Sequence, residues 1–79
     1  MEKIISIMGT IGFEIGPSNG EVGTVHFTRN TDTICHQSVI FHSHSHCVEI
    51  GQVFNGKFEP VWLNVQEIIA IQEALSCFN

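Results

Sequence analysis

His42, His44 and His46 stand at alternate positions in Phe41-His42-Ser43-His44-Ser45-His46-Cys47, the densest run of reactive side chains in the sequence. Neutral imidazole is the commonest protein ligand for a metal ion, and this spacing points first to metal chemistry. In a strand, alternate side chains share a face, so the rings would project to one side and Ser43, Ser45 and Cys47 to the other. Neighbouring rings would then lie roughly 7 Å apart along the strand. Zn–N bonds measure about 2.0 to 2.1 Å, so one ion can take two such rings but not three on a straight strand. His46 or Glu49 would join His42 and His44 in a site for zinc or another divalent transition metal. In a hairpin tip the alternation loses its meaning, and the rings become solvated polar groups among turn-forming serines. Strands usually run about 3 to 10 residues, so the run from Thr33 to Phe54 must bend, and this polar stretch is where a bend is expected.

Catalytic arrangements fit less well. Cys47 adjoins His46 and Cys35 adjoins His36, but adjacent strand residues face opposite ways, which separates each thiol from its imidazole. Ser43 and Ser45 lack a Gly-x-Ser-x-Gly elbow, and Gly9-Thr10-Ile11-Gly12 lacks the spacing and lysine of a phosphate loop. Glu49 has no second carboxylate at an evident working distance. The reading therefore leans away from an enzyme.

The spacing His42-Ser43-His44, four residues, Glu49, six residues, Gly56 resembles the first metal-binding motif of the cupins, in which two His and a Glu hold a divalent metal inside a β-barrel. The resemblance implies His42, His44 and Glu49 as ligands and Gly56 as the hairpin glycine. It spans residues 42–56, lacks the glycine that usually precedes the motif, and has no His after Gly56 to supply a fourth ligand.

The elements that must position these side chains follow from composition and periodicity. With 79 residues there is room for one domain, 1–79, and 43% hydrophobic against 14% charged residues is the composition of a folded globule. The low charge density leaves surface for a partner, including a second copy, and an unprotected strand edge makes a two-fold homo-oligomer the expected state. A net charge of −5, with Lys3, Arg29 and Lys57 dispersed, disfavours nucleic acid and anionic membranes. No run reaches the length of a membrane helix or a cleavable leader, so a soluble, cytoplasmic protein is expected. Cys35, Cys47 and Cys77 are odd in number and unpaired in pattern, which fits reduced thiols.

Ile4, Ile5, Ile7 and Met8 read as a short apolar strand, and Ile11, Phe13 and Ile15 alternate with Gly12, Glu14 and Gly16 as another. Pro17-Ser18-Asn19-Gly20 has the composition of a turn. Val22 to Thr28 follows as a strand, with Val25 and Phe27 on one face and His26 on the other with Thr24 and Thr28, which places His26 at the surface. Arg29-Asn30-Thr31-Asp32 reads as a polar turn, Ile34 to Phe41 as a strand, and Val48 to Phe54 as its successor. Asn55-Gly56 is a strong hairpin signal leading into Lys57 to Leu63, where Pro60 marks an edge. Asn64 and Glu67 form a capping box for a helix from Val65 to about Cys77, with Val65, Ile68, Ile71, Leu75 and Phe78 on its buried face.

The resulting expectation is an α+β domain: a bent antiparallel sheet or small barrel of about five strands with one C-terminal helix packed on it. Two functions fit it. One is a small acidic, non-enzymatic protein-binding module, an inhibitor or adaptor of a larger protein, a build shared by phage anti-defence inhibitors and other mobile-element proteins. The other is a His-rich transition-metal-binding protein with a cupin-like half-site.

Overall fold

Ile4 and Met8 lie one helical turn apart, and both are buried. In the computed structural model, which describes residues 1–16 and 22–78, they form the inner stripe of a helix, α1 (Glu2–Gly9). The strand expected over this stretch is thus corrected: the i, i+4 pair outweighs the β-branched composition because it lets one face reach the core while Ile5 stays exposed. Thr10 ends the helix with its hydroxyl donating to the Ile7 carbonyl at 2.6 Å.

The remaining elements are β1 (Glu14–Ile15), β2 (Thr24–Asp32), β3 (Cys35–His42), β4 (Cys47–Phe54), β5 (Lys57–Phe58) and α2 (Val65–Ser76). All five strands form one antiparallel sheet in the order β1-β2-β3-β4-β5. Among the described residues β1 and β5 do not pair, so the sheet is open rather than a barrel. The turn expected at Pro17–Gly20 lies outside the described residues.

Three stretches depart most from the expected strands. The strand expected over Ile11, Phe13 and Ile15 is confined to Glu14–Ile15, because Ile11 and Gly12 form the turn that leaves α1. Arg29 to Asp32 continues β2 through a register shift between Asn30 and Asp32, and the chain reverses instead at Thr33-Ile34. The Asp32 carboxylate accepts from the Thr33 amide at 2.6 Å and supports that turn. At the other edge Asn55 and Gly56 have φ of 51° and 78°, the left-handed pair that a two-residue hairpin requires. The strand that follows stops after Phe58, well short of the expected Leu63.

Alternation along β3 sets the layers: Cys35, Gln37, Val39 and Phe41 are buried, while His36, Ser38, Ile40 and His42 face away. The inner side chains meet Phe27 from β2, Ile4 and Met8 from α1, Phe13, and Ile71 and Ala74 from α2. Phe27 and Phe41 pack edge to face with centroids 5.8 Å apart, and Phe41 also meets Phe78. Both helices therefore cover one face of the sheet.

The capping box of α2 is present: Asn64 Oδ1 accepts from the Glu67 amide and Glu67 Oε1 from the Asn64 amide, each at 2.9 Å. Its buried face matches the expected one at Ile71, Leu75 and Phe78 but not at Val65 and Ile68. Ala70, Ile71 and Ala74 point inward, with Leu75 and Phe78 half-buried, whereas Val65 and Ile68 are exposed. Small Ala70 and Ala74 let α2 sit close against α1, a neighbour absent from the expected fold, and this rotates the helix.

Arg29, expected in a turn, projects instead to the helix side of β2. Its Nε donates to Gln37 Oε1 at 2.7 Å, its Nη1 to the Ile11 carbonyl at 2.6 Å, and its Nη2 pairs with Glu67 Oε2. The guanidinium lies 4.4 Å from the centre of the Phe13 ring. Gln37 Nε2 in turn donates to Gln52 Oε1 at 2.7 Å. One cation thereby ties the α1–β1 loop and the first turn of α2 to three strands.

Glu67 registers this arrangement electrostatically. The Asn64 amide and then the Arg29 guanidinium hold its carboxyl below the ordinary value, against the opposing effect of burial. Because the folded-state value is depressed, the stabilisation is full above the unfolded Glu pKa of about 4.3 and is lost as pH falls through the folded value. Glu67→Gln should therefore flatten the acid limb of the stability curve. Urea midpoints between about pH 3 and 6 test this, and an acid limb as steep as that of the wild type would contradict it.

Candidate functional site

The histidine stretch is the tip of the β3–β4 hairpin. His42 closes β3 opposite Cys47, and Ser43 to His46 form the turn. Ser43 anchors the tip to the start of β2, its amide and hydroxyl donating to the Gly23 carbonyl at 2.9 and 3.1 Å. The His44 ring lies over Gly23, where an added methyl would collide with it. His46 is exposed with φ of 54°, and the exposed Cys47 thiol contacts the Ser45 carbonyl at 3.4 Å.

His42 and Glu49 do meet. Glu49 lies opposite Ile40 in the register, so it sits diagonal to His42 on the outer face, and Nε2 and Oε1 are 2.5 Å apart. The proposed ligands His42, His44, His46 and Glu49 are thus not gathered on one point: His42 and Glu49 form a pair, His44 caps Gly23, and His46 lies in the exposed turn. Among the described residues no group of three or more His, Cys, Asp or Glu side chains is placed to hold a metal ion. Of the cupin-like features, the His42–Glu49 contact and the hairpin glycine Gly56 are present, and the barrel and the convergence of His44 are not. His26 faces outward as expected but is half-buried, and its Nε2 is enclosed without a hydrogen-bond partner among the described residues.

Gly23 fixes the tip through two constraints, its φ of 82° and the ring above it. Gly23→Ala should lower stability by about 1 kcal/mol or more. Adding His44→Ala should recover the steric part and leave the backbone part, as read from urea midpoints of the two variants. Equal stability of wild type and Gly23→Ala would refute this packing.

A second feature lies on the helix side. Val48, Ile50, Leu63, Ile68, Ile71 and Leu75 line an apolar groove of about 280 Å³ between β4 and α2. It exists because the two helices crowd over β2 and β3, leaving the inward residues of β4 only partly covered. Phe58 and Trp62, 88% and 82% exposed, stand on the segment that leads from the sheet edge toward α2. The periodicity of α2 hints at this surface. Val65, Ile68, Ile69, Ile71 and Leu75, with Ala70 and Ala74, occupy more of the helix circumference than one sheet face can cover.

Comparison with family models, with curated proteins and with solved structures finds no match to this chain. No helix among the described residues is long and apolar enough to cross a membrane.

Proposed function

We propose that this protein is a non-enzymatic binding module that acts as an inhibitor or adaptor of a larger protein, in the manner of small mobile-element or phage anti-defence proteins. The observation that carries the reading is the groove between β4 and α2, left open in a chain short of core and lined by the exposed Ile68, on a domain that also exposes Phe58, Trp62 and Val65. An open apolar groove of this kind on a small domain marks an interaction site. Aromatic anchors are the residue types that dominate interface energetics.

The test is cross-linking in a lysate of the source cell, followed by reconstitution from purified components. A stoichiometric complex that forms with wild type and fails with Ile68→Glu supports the reading, because Ile68 is 52% exposed and its replacement leaves the core intact. A complex indifferent to Ile68→Glu would contradict it.

The His42–Glu49 pair favours a second reading, a divalent transition-metal site completed by movement of the hairpin tip. Zinc titration by calorimetry separates the two. Micromolar or tighter binding abolished by His44→Ala would establish the metal site. Under the binding-module reading His46→Ala leaves stability within about 0.5 kcal/mol of wild type.

A further inference from the structure

The groove borders a strand edge that lacks a partner. β5 pairs only with Val53 and Phe54 of β4, and the last bond on that side runs from the Glu59 amide to the Gln52 carbonyl at 3.1 Å. Backbone groups on a strand alternate in direction, so Val48 and Ile50, in phase with Gln52, direct their N–H and C=O away from β3. Among the described residues no strand receives them. The side chains of these same two residues line the groove.

We infer that the edge of β4 at Val48 and Ile50 accepts an extended segment of the partner protein as an added strand, with apolar side chains at alternate positions and Lys or Arg between them. This rests on the binding-module reading and specifies its partner. Main-chain bonds to Val48 and Ile50 supply affinity, and the side-chain period of two supplies specificity. Inward residues of the added strand enter the groove against Ile68 and Leu75. Its outward residues lie beside Glu49, whose side chain is 65% exposed. Arg29 is committed to Glu67 and Gln37, and the whole chain carries a net charge of −5. A basic pattern at the outward positions therefore complements this edge. A second copy complements it poorly, since two-fold antiparallel pairing centred on the free stretch sets Glu49 opposite its own carboxylate.

The test uses two blocked synthetic peptides, one alternating valine with lysine and one alternating valine with glutamate, titrated into the full chain and followed by amide resonances and hydrogen exchange. The lysine peptide should bind about ten-fold or more tighter than the glutamate peptide and protect the Val48 and Ile50 amides. Glu49→Lys, on the outer face, should reverse that preference. Equal binding of the two peptides, binding that leaves both amides unprotected, or no binding would overturn the strand-addition proposal. So would a concentration-dependent dimer that protects the same amides without peptide, because the occupant would then be a second copy. The two readings fail separately: a reconstituted complex lost in Ile68→Glu with both amides unprotected leaves the binding module standing and removes only the added strand.

Discussion

Replacing Arg29 with alanine is expected to destabilise the protein by about 2 to 3 kcal/mol, below the range of about 3 to 5 kcal/mol found when one member of a fully buried ion pair is removed, because this pair keeps some exposure to solvent. Arg29 and Glu67 are part-buried, and the variant would leave Glu67 Oε2, Gln37 Oε1 and the Ile11 carbonyl without their Arg29 donor, while Glu67 Oε1 keeps the Asn64 amide. It would also uncover one face of Phe13. Small domains have stabilities near the low end of about 5 to 15 kcal/mol, so the variant should keep only a narrow margin of stability at room temperature. Arg29→Lys should fall between, since an ammonium keeps the charge but cannot direct several donors in one plane. Urea unfolding followed by circular dichroism measures the effect. A loss below about 1 kcal/mol for Arg29→Ala would place the pair among ordinary surface ion pairs and contradict its structural role.

Ile71→Asp should abolish the cooperative transition altogether. Ile71 is 4% exposed and packs within the cluster of Ile4, Met8, Phe13, Phe27, Val39, Phe41 and Ala74, where a carboxylate finds no partner. Ile68→Asp, three residues earlier, should cost little, because Ile68 faces the groove and solvent. The contrast distinguishes the observed helix face from the face that periodicity alone suggests, on which both residues would be core. Equal damage by the two substitutions, or a wild-type thermal midpoint for Ile71→Asp, would refute the packing described for α2.

Local signals proved the most legible in the sequence. Asn55-Gly56 specifies its own φ values and so specifies the hairpin, and Asn64 with Glu67 specifies the start of α2 through bonds within one turn. The α+β class and the antiparallel sheet with a C-terminal helix followed from strand-length apolar runs separated by such signals. Features set by distant neighbours were not legible. Ile4 to Met8 has the composition of a strand, and the core it packs on, built from the sheet and α2, makes a helix with Ile4 and Met8 as its buried stripe the better solution. Periodicity points the exposed Val65 and Ile68 inward for the same reason, since nothing in the local pattern discloses a second helix alongside.

The sequence leaves the histidine stretch either a strand face or a hairpin tip, and the hairpin-tip geometry follows from the anchoring of Ser43 to Gly23, twenty residues away. The role of Arg29 was equally hidden. One trace of it was available: Gln37 interrupts the apolar alternation of Cys35, Val39 and Phe41, and a buried amide requires partners. The open groove was hidden because it depends on how far two helices extend across the sheet.

The central claim is that a larger protein docks on the groove side of the sheet. Its most direct test is the dissociation constant of the reconstituted complex for two variants with intact folds, Ile68→Glu at the groove and His36→Glu on the opposite, exposed face of β3. The account predicts that Ile68→Glu weakens binding by about a hundred-fold, the scale of an interface anchor, while His36→Glu stays within about two-fold of wild type. The reverse pattern, with His36→Glu disruptive and Ile68→Glu silent, would put the partner on the outer face of the sheet and contradict the claim.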